Sequence, residues 1–225
     1  MTNSCILVIS DLHIPYHHKS TIPFLTDIKN KFKPTRIVLT GDEIDAHAIS
    51  FHDKDPDTLF SPSSELAISI EYLQPLYKLF PNANIMESNH GSLYYRKAKH
   101  HGIPRSVLRS YSEILEAPPG WTWHSQLIID NTLFVHGKSS NGLNLSILEG
   151  MNVVQGHFHS IFEIRYSHRN WAMTVGCLID DTELAFAYNK LQPKRPIIGV
   201  GIIINGIPML IPMPLDKDGC YDGSI

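Results

Sequence analysis

Cysteine is scarce in this chain of 225 residues: Cys5, Cys177 and Cys220 are the only three, with no CxxC spacing. That excludes a disulfide framework and a thiolate zinc knuckle, and makes a reducing cytoplasm the simpler expectation. No apolar run approaches the roughly 20 residues needed to cross a bilayer, so no membrane role is expected. The N-terminal apolar run gives way quickly to Asp-Leu-His, which is too short for a signal peptide. An excess of one charge is also missing, since 19 Lys and Arg face 22 Asp and Glu for a net charge of −3. No chain-wide basic field therefore draws the protein to nucleic acid, without excluding a local basic groove. Repeats, low-complexity tracts and linkers are absent too. One domain over residues 1–225 is expected, loosely ordered from about 216.

What the chain has in plenty is histidine, with 13 copies of the commonest ligand for transition metals. Short apolar runs rich in branched side chains occur at 5–10 (CILVIS), 36–40 (RIVLT), 84–87 (NIME), 133–136 (LFVH) and 152–155 (NVVQ). They read as strands buried on both faces. Ile22, Leu25, Ile28 and Phe32 recur at helical spacing between the first two runs, which argues for α/β layering. A second helix is expected from Ser61, with Pro62 in its first turn, toward Phe80, and Pro75 should kink or shorten it. Residues 46–61 read as a long loop. Beyond Gln126 the pattern turns strand-rich and closes on two strands around Asn205-Gly206. One α/β domain with two packed sheets is the economical reading.

Every early strand ends in polar residues: Asp11-Leu-His13, Gly41-Asp42-Glu-Ile-Asp45, Ser88-Asn89-His90-Gly91, His136-Gly137, and Gly156-His157-Phe-His159. Residues just beyond the carboxyl ends of strands converge on one crevice in open α/β sheets. Asp11, His13, Asp42, Asn89, His136, His157 and His159 are therefore candidate ligands for one centre. The oxygen and nitrogen set suits manganese foremost, with iron, nickel, cobalt, zinc or magnesium also accommodated. Singly, each group has a plainer reading: a capping Asp, a hydrogen-bonded His, a turn Asn. Their joint occurrence, in order and each after an apolar run, is what carries weight.

These blocks resemble the pattern DxH, GDxxD, GNH plus acid, isolated His and GHxH of the calcineurin-like metallophosphoesterases, matched over residues 11–159. The resemblance implies a four-layer α/β/β/α sandwich and two divalent metal ions bridged by Asp42. One ion would be held by Asp11, His13, Asp42 and His159, the other by Asp42, Asn89, His136 and His157. It also implies catalytic roles for Asp42, Asn89 and His90, the last as leaving-group acid or phosphate contact. Two departures stand out. Ser88 replaces the usual Gly, and Gly91 replaces the acid that orients the histidine, leaving His90 without an evident partner.

Asp45 is expected behind the ligands, supporting one of them. Candidate substrate contacts are His47, Phe51 and His52 in the long loop, Tyr94 and Arg96 after the Asn-His cluster, and Lys138 after His136. Phe51 is equally at home in the core, and charge runs such as 96–99 are usually solvated. The resemblance is strongest to compact bacteriophage-encoded members of the family. It implies a small nucleotide as substrate, a 5′-(deoxy)nucleoside monophosphate hydrolysed by water activated between two ions. The alternative is a metal-dependent DNA nuclease. A protein-binding scaffold on the same fold would have lost ligands, and none of the seven is missing.

Overall fold

The computed structural model describes residues 4–51, 60–180, 182 and 195–225. Strands β1 (Cys5–Ile9), β2 (Arg36–Leu39), β3 (Asn82–Met86) and β4 (Gly120–His124) lie parallel in chain order. A second sheet is built from β5 (Leu127–Ile129), β6 (Thr132–Phe134), β7 (Asn152–Gln155), β8 (Glu163–Tyr166) and β9 (Trp171–Thr174), in the order β5-β6-β7-β9-β8. The chain then returns to the first sheet as the hairpin β10 (Gly199–Ile204) and β11 (Ile207–Pro212), with β10 antiparallel to β1. Asn205 and Gly206, at φ 51° and 82°, make the expected turn.

Side chains along β1 divide between two cores with period two. Cys5, Leu7 and Ile9 point to the helical side, against Phe24, Leu25 and Ile28 of α1 (Thr21–Phe32) and Leu73 and Leu76 of α2 (Pro62–Leu79). Ile6 and Val8 point to the other side and meet Phe134, Val154 and Met173 of the second sheet. That sheet repeats the pattern, because Leu133, Val153 and Ala172 face outward under Leu143 and Leu145 of α5 (Gly142–Glu149). Strands apolar on both faces thus become the inner layers of a helix, sheet, sheet, helix stack. Two shorter helices, α3 (Leu93–His100) and α4 (Tyr111–Ile114), follow the Asn-His cluster.

Two expectations need correction. Pro75 does not shorten α2, which runs to Leu79, next to the Phe80 it was expected to approach. Glu71, whose carbonyl would have met the missing N–H, is solvent-exposed, as is Pro75, while Leu73, Leu76 and Tyr77 stay buried beneath. The tail beyond 216 is tied down as well. The Tyr221 ring packs edge-on to Phe24 at 5.4 Å, its hydroxyl donates to Asp27 Oδ2 at 3.0 Å, and Gly219 O lies 3.1 Å from His18 Nε2.

Candidate metal centre

The polar clusters sit at the carboxyl ends of β1, β2, β3, β6 and β7 and meet at one edge of the sandwich. The first two loops are zipped together by backbone bonds from His13 N to Asp42 O (2.9 Å) and Asp45 N to Ile14 O (3.0 Å). Gly156 N donates to His136 O at 2.7 Å and joins the loops of the second sheet. Asp11, His13, Asp42 and His157 all adopt left-handed φ values, between 47° and 67°, which L-residues with side chains seldom do. Such strain is held where surrounding contacts fix it, and it gathers at functional sites. Two glycines make the close approach possible. A side chain at Gly41 (φ 105°) would meet Ser88 Cβ at 2.6 Å, and one at Gly156 would overlap Ser10 Oγ and Asp11 Oδ2.

All seven candidate ligands come together. Asp11, His13 and His159 offer ligand atoms within 4.8 Å of one another, and so do Asp42, His136 and His157. Asp42 Oδ2 joins the halves, lying 3.7 Å from His13 Nε2 and 3.2 Å from His136 Nε2. Asn89 Oδ1 lies 2.6 Å from His136 Nε2. His90 is closer to the centre than its assigned role required, since it forms a third such group with His13 and Asp42.

Hydrogen bonding decides whether these residues fit cations. His136 Nδ1 lies 2.8 Å from Thr40 O, which can only accept, so Nδ1 carries a proton. In the neutral ring Nε2 is then a bare lone pair. Its neighbours are Asn89 Oδ1 at 2.6 Å, His157 Nδ1 at 3.1 Å and Asp42 Oδ2 at 3.2 Å. The same holds for His13, whose Nδ1 lies 3.2 Å from Asp45 Oδ2 and whose Nε2 faces His159 Nε2 at 3.2 Å. Asp11 Oδ1 is buried, with His159 Nε2 at 3.3 Å and His13 Nε2 at 3.9 Å. Acceptors turned on acceptors repel one another unless positive charge stands between them. The donor set therefore fits divalent metal ions.

The titration shifts express the same need. Burial alone would raise Asp42, but His136 and His13 outweigh it and bring the carboxyl down to about 2. Burial alone would lower His136, yet the Asp42 carboxylate lifts it to about 9. Asp11 is likewise held well below, and His13 well above, the ordinary range, each against its own burial.

The partner that His90 lacked in the sequence is Asp45. His90 Nδ1 lies 2.5 Å from the Asp45 carbonyl oxygen and 3.3 Å from its Oδ1, while Oδ2 serves His13. One carboxylate thus orients a ligand histidine and the neighbouring free one. Ser88, noted only as a departure, accepts from Asp42 N at 3.0 Å and Gly91 N at 3.1 Å, stapling the second loop to the third. Thr40 O was missed, because a backbone carbonyl leaves no mark in a sequence.

The expected substrate contacts fare unevenly. Arg96 donates to Asn89 O at 2.6 Å and to Ser92 Oγ at 3.1 Å, so it braces the ligand loop. Tyr94 is partly buried against the core, and burial pushes its hydroxyl up to about 12. Phe51 is 48% exposed rather than buried, with Lys97 Nζ 3.8 Å above its ring. The backbone of His47 is bound to Glu65 and its ring stands edge-on to Tyr16, outside the ligand groups. Lys138 is exposed two residues beyond His136. His52 lies outside the described residues.

No family profile and no curated protein sequence matches the chain. Solved structures do. Vps29 of Chaetomium thermophilum is 13% identical over 99% of this chain and 94% of that one, with a TM-score of 0.53. The fold is the metallophosphoesterase sandwich. An archaeal phosphodiesterase is 16% identical over 92% of this chain and 99% of that one, at a TM-score of 0.49. A predicted phosphoesterase of Streptococcus pneumoniae is 10% identical over 98% and 94%, at 0.43. At such identities the likeness concerns architecture, and the chemistry rests on this chain's own residues. Among those described, no helix is long and apolar enough to cross a membrane.

Proposed function

We propose that the protein is a dinuclear-metal phosphoesterase that hydrolyses phosphate monoesters, 5′-(deoxy)nucleoside monophosphates foremost. The observation that carries the reading is the set of acceptor atoms converging from five strand ends on both sides of Asp42 Oδ2. Asp11, His13, Asp42 and His159 would hold one ion, and Asp42, Asn89, His136 and His157 the other. Bound there, the ions would polarise the phosphoryl group and acidify the attacking water. The chain supplies the rest. Asp45 and Thr40 O fix the ring orientation of His13 and His136, so that their Nε2 atoms stay aimed inward. His90 has Nδ1 occupied by Asp45, which leaves Nε2 for the departing oxygen. In the metal-free protein burial would lower its pKa, but Asp45 raises it above the ordinary value, which favours the protonated ring that a leaving-group acid requires.

The nucleotide is supported by the likeness of GDEIDAHAISFHDKDPD and VQGHFHS to phage phosphoesterases. A nuclease reading is favoured by a different observation. Between Glu87 and Glu113 there is no acid, while Arg96, Lys97, Lys99, Arg105 and Arg109 all fall in that stretch. A panel of 5′- and 3′-mononucleotides, cyclic nucleotides and single- and double-stranded DNA, each with several divalent metals, separates the two. Release of inorganic phosphate from 5′-mononucleotides is expected. DNA cleavage with steep salt dependence and no phosphate release would replace the reading with the second.

A further inference from the structure

The acid-free stretch between Glu87 and Glu113 folds into α3 and a short turn of helix, Arg105–Val107. Successive residues of a helix are turned by about 100°, so the solvent side of α3 carries Tyr95, Lys99, Arg96 and His100, in that order around it. All four are exposed, whereas Leu93 and Ala98 are buried beneath. A ring with a cation against it closes each flank of this strip. On one flank Lys97 Nζ stands 3.8 Å from the centre of the Phe51 ring, with Arg96 Cζ at 5.6 Å and the His100 ring edge-on at 5.9 Å. On the other, Arg105 Cζ stands 5.3 Å from the centre of the Tyr95 ring. Both flanks reach the loop of Asn89 and His90. Arg96 donates to Asn89 O, and Tyr95 and Arg105 line a cleft together with Gly91 and Ser92. Among the described residues lysine and arginine form ion pairs at Arg36–Asp130 and Arg165–Glu163, and no cation of the strip pairs with a carboxylate.

We propose that this strip is a binding surface for single-stranded nucleic acid, laid across α3 beside the metal centre. Single strands are held by cations along the backbone and by aromatic rings on which bases stack. Each ring here lies with its own cation, so phosphate and base are met together at both flanks, with Lys99, Arg96 and His100 between them. A duplex keeps its base faces stacked inside, so the rings offer it little. A single strand is the polyanion that uses both kinds of group. An anionic membrane would call for a broad apolar face, but the solvent side of α3 is mainly cationic. The net charge of −3 does not oppose the strip, because salt confines the field of a surface charge to about 10 Å. The inference goes beyond the proposed function, since it concerns binding and holds whichever ester the centre cleaves. Its bearing on that function is positional: a strand lying here passes the loop that presents Asn89 and His90.

The test uses a fluorescein-labelled oligodeoxythymidylate of about 12 nucleotides without terminal phosphates, which offers the centre no monoester. Its binding to the full chain is read by fluorescence anisotropy, with chelator and with divalent metal, over a range of salt. Saturable binding that weakens as salt rises is expected, with a duplex of the same length about tenfold weaker. Lys99→Glu combined with Arg105→Glu should weaken strand binding about tenfold or more and flatten its salt dependence. Phosphate release from mononucleotides should stay at the wild-type rate in that variant. Phe51→Ala and Tyr95→Ala should each weaken strand binding about fivefold or more through lost stacking. If the doubly reversed variant fails to fold, as judged by circular dichroism, Lys99→Glu alone decides, with a severalfold loss expected. No strand binding at low salt, equal affinity for the duplex, binding of phosphatidylserine vesicles in place of the strand, or wild-type affinity in the informative variant would overturn the inference. Strand binding without hydrolysis of any phosphoester would uphold the surface and sink the phosphoesterase reading. Phosphate release without strand binding would do the reverse.

Discussion

The proton on His136 Nδ1 has one place to go, the carbonyl of Thr40, and that contact determines which atom the ring offers to the centre. A second nitrogen's hydrogen bond thus turns the first toward the centre. His136→Ala should therefore empty one half of the centre, leaving about one bound ion per chain in place of two by elemental analysis, with loss of turnover. Asp45 acts on two rings together, so Asp45→Asn should lower kcat about 10- to 100-fold at saturating metal while the protein still folds. An unchanged kcat would refute that role. His90→Ala separates two placements of the same ring: slowed turnover with full metal content supports the acid, whereas equal loss of metal makes it a ligand. The candidate ligands stood out in the sequence because Asp, His and Asn in fixed order have few other reasons to stand after apolar runs. The partner of His90 was not legible, since Asp45 lies 45 positions away and only folding brings them together.

Secondary-structure elements were read best where hydrophobic period and capping agree. Ser61 caps α2 as expected, accepting from Ser64 N at 3.2 Å while the Ser64 hydroxyl accepts from Ser61 N at 2.9 Å. Ser61→Ala should cost about 1 kcal/mol in chemical denaturation. Pro75 does not shorten α2, because the buried face of Leu73, Leu76 and Tyr77 keeps the helix going to Leu79. The tail was misjudged for a similar reason. Its polar composition suggests looseness, yet one aromatic finds Phe24 and Asp27 on α1. Tyr221→Ala should lower the unfolding midpoint, by an amount equivalent to about 1–3 kcal/mol, through lost ring burial and the lost hydrogen bond to Asp27.

Over the whole molecule, the buried histidines and carboxylates link stability to pH. His136 has its pKa raised from 6.5 to about 9 on folding, so its contribution is complete below 6.5 and disappears as pH climbs toward about 9. Asp42 is shifted the other way, to about 2, so its contribution holds above about 4 and is lost as acid approaches 2. The metal-free protein should therefore be most stable between these windows. Metal uptake must displace the His136 proton, so metal binding should strengthen between pH 6.5 and 9. The loss of thermal stability on adding a chelator should widen across that range, reaching about 4 kcal/mol where metal stands at 1,000 times its Kd. A chelator effect that shrinks with rising pH would contradict the arrangement.

The sequence by itself determined the layering and which polar residues gather at one edge of it. Strands apolar on both faces must be sandwiched, and carboxylates and imidazoles placed just after them must gather at one end of the sheet. What only the tertiary structure decided were relations between loops far apart in the chain: Asp45 serving His13 and His90, Ser88 stapling Asp42, Arg96 bracing Asn89, and Lys97 over the Phe51 ring. Hydrophobic pattern is local and periodic, so it survives in one dimension. A hydrogen bond between loops depends on the packing of two sheets, and no spacing along the chain records it.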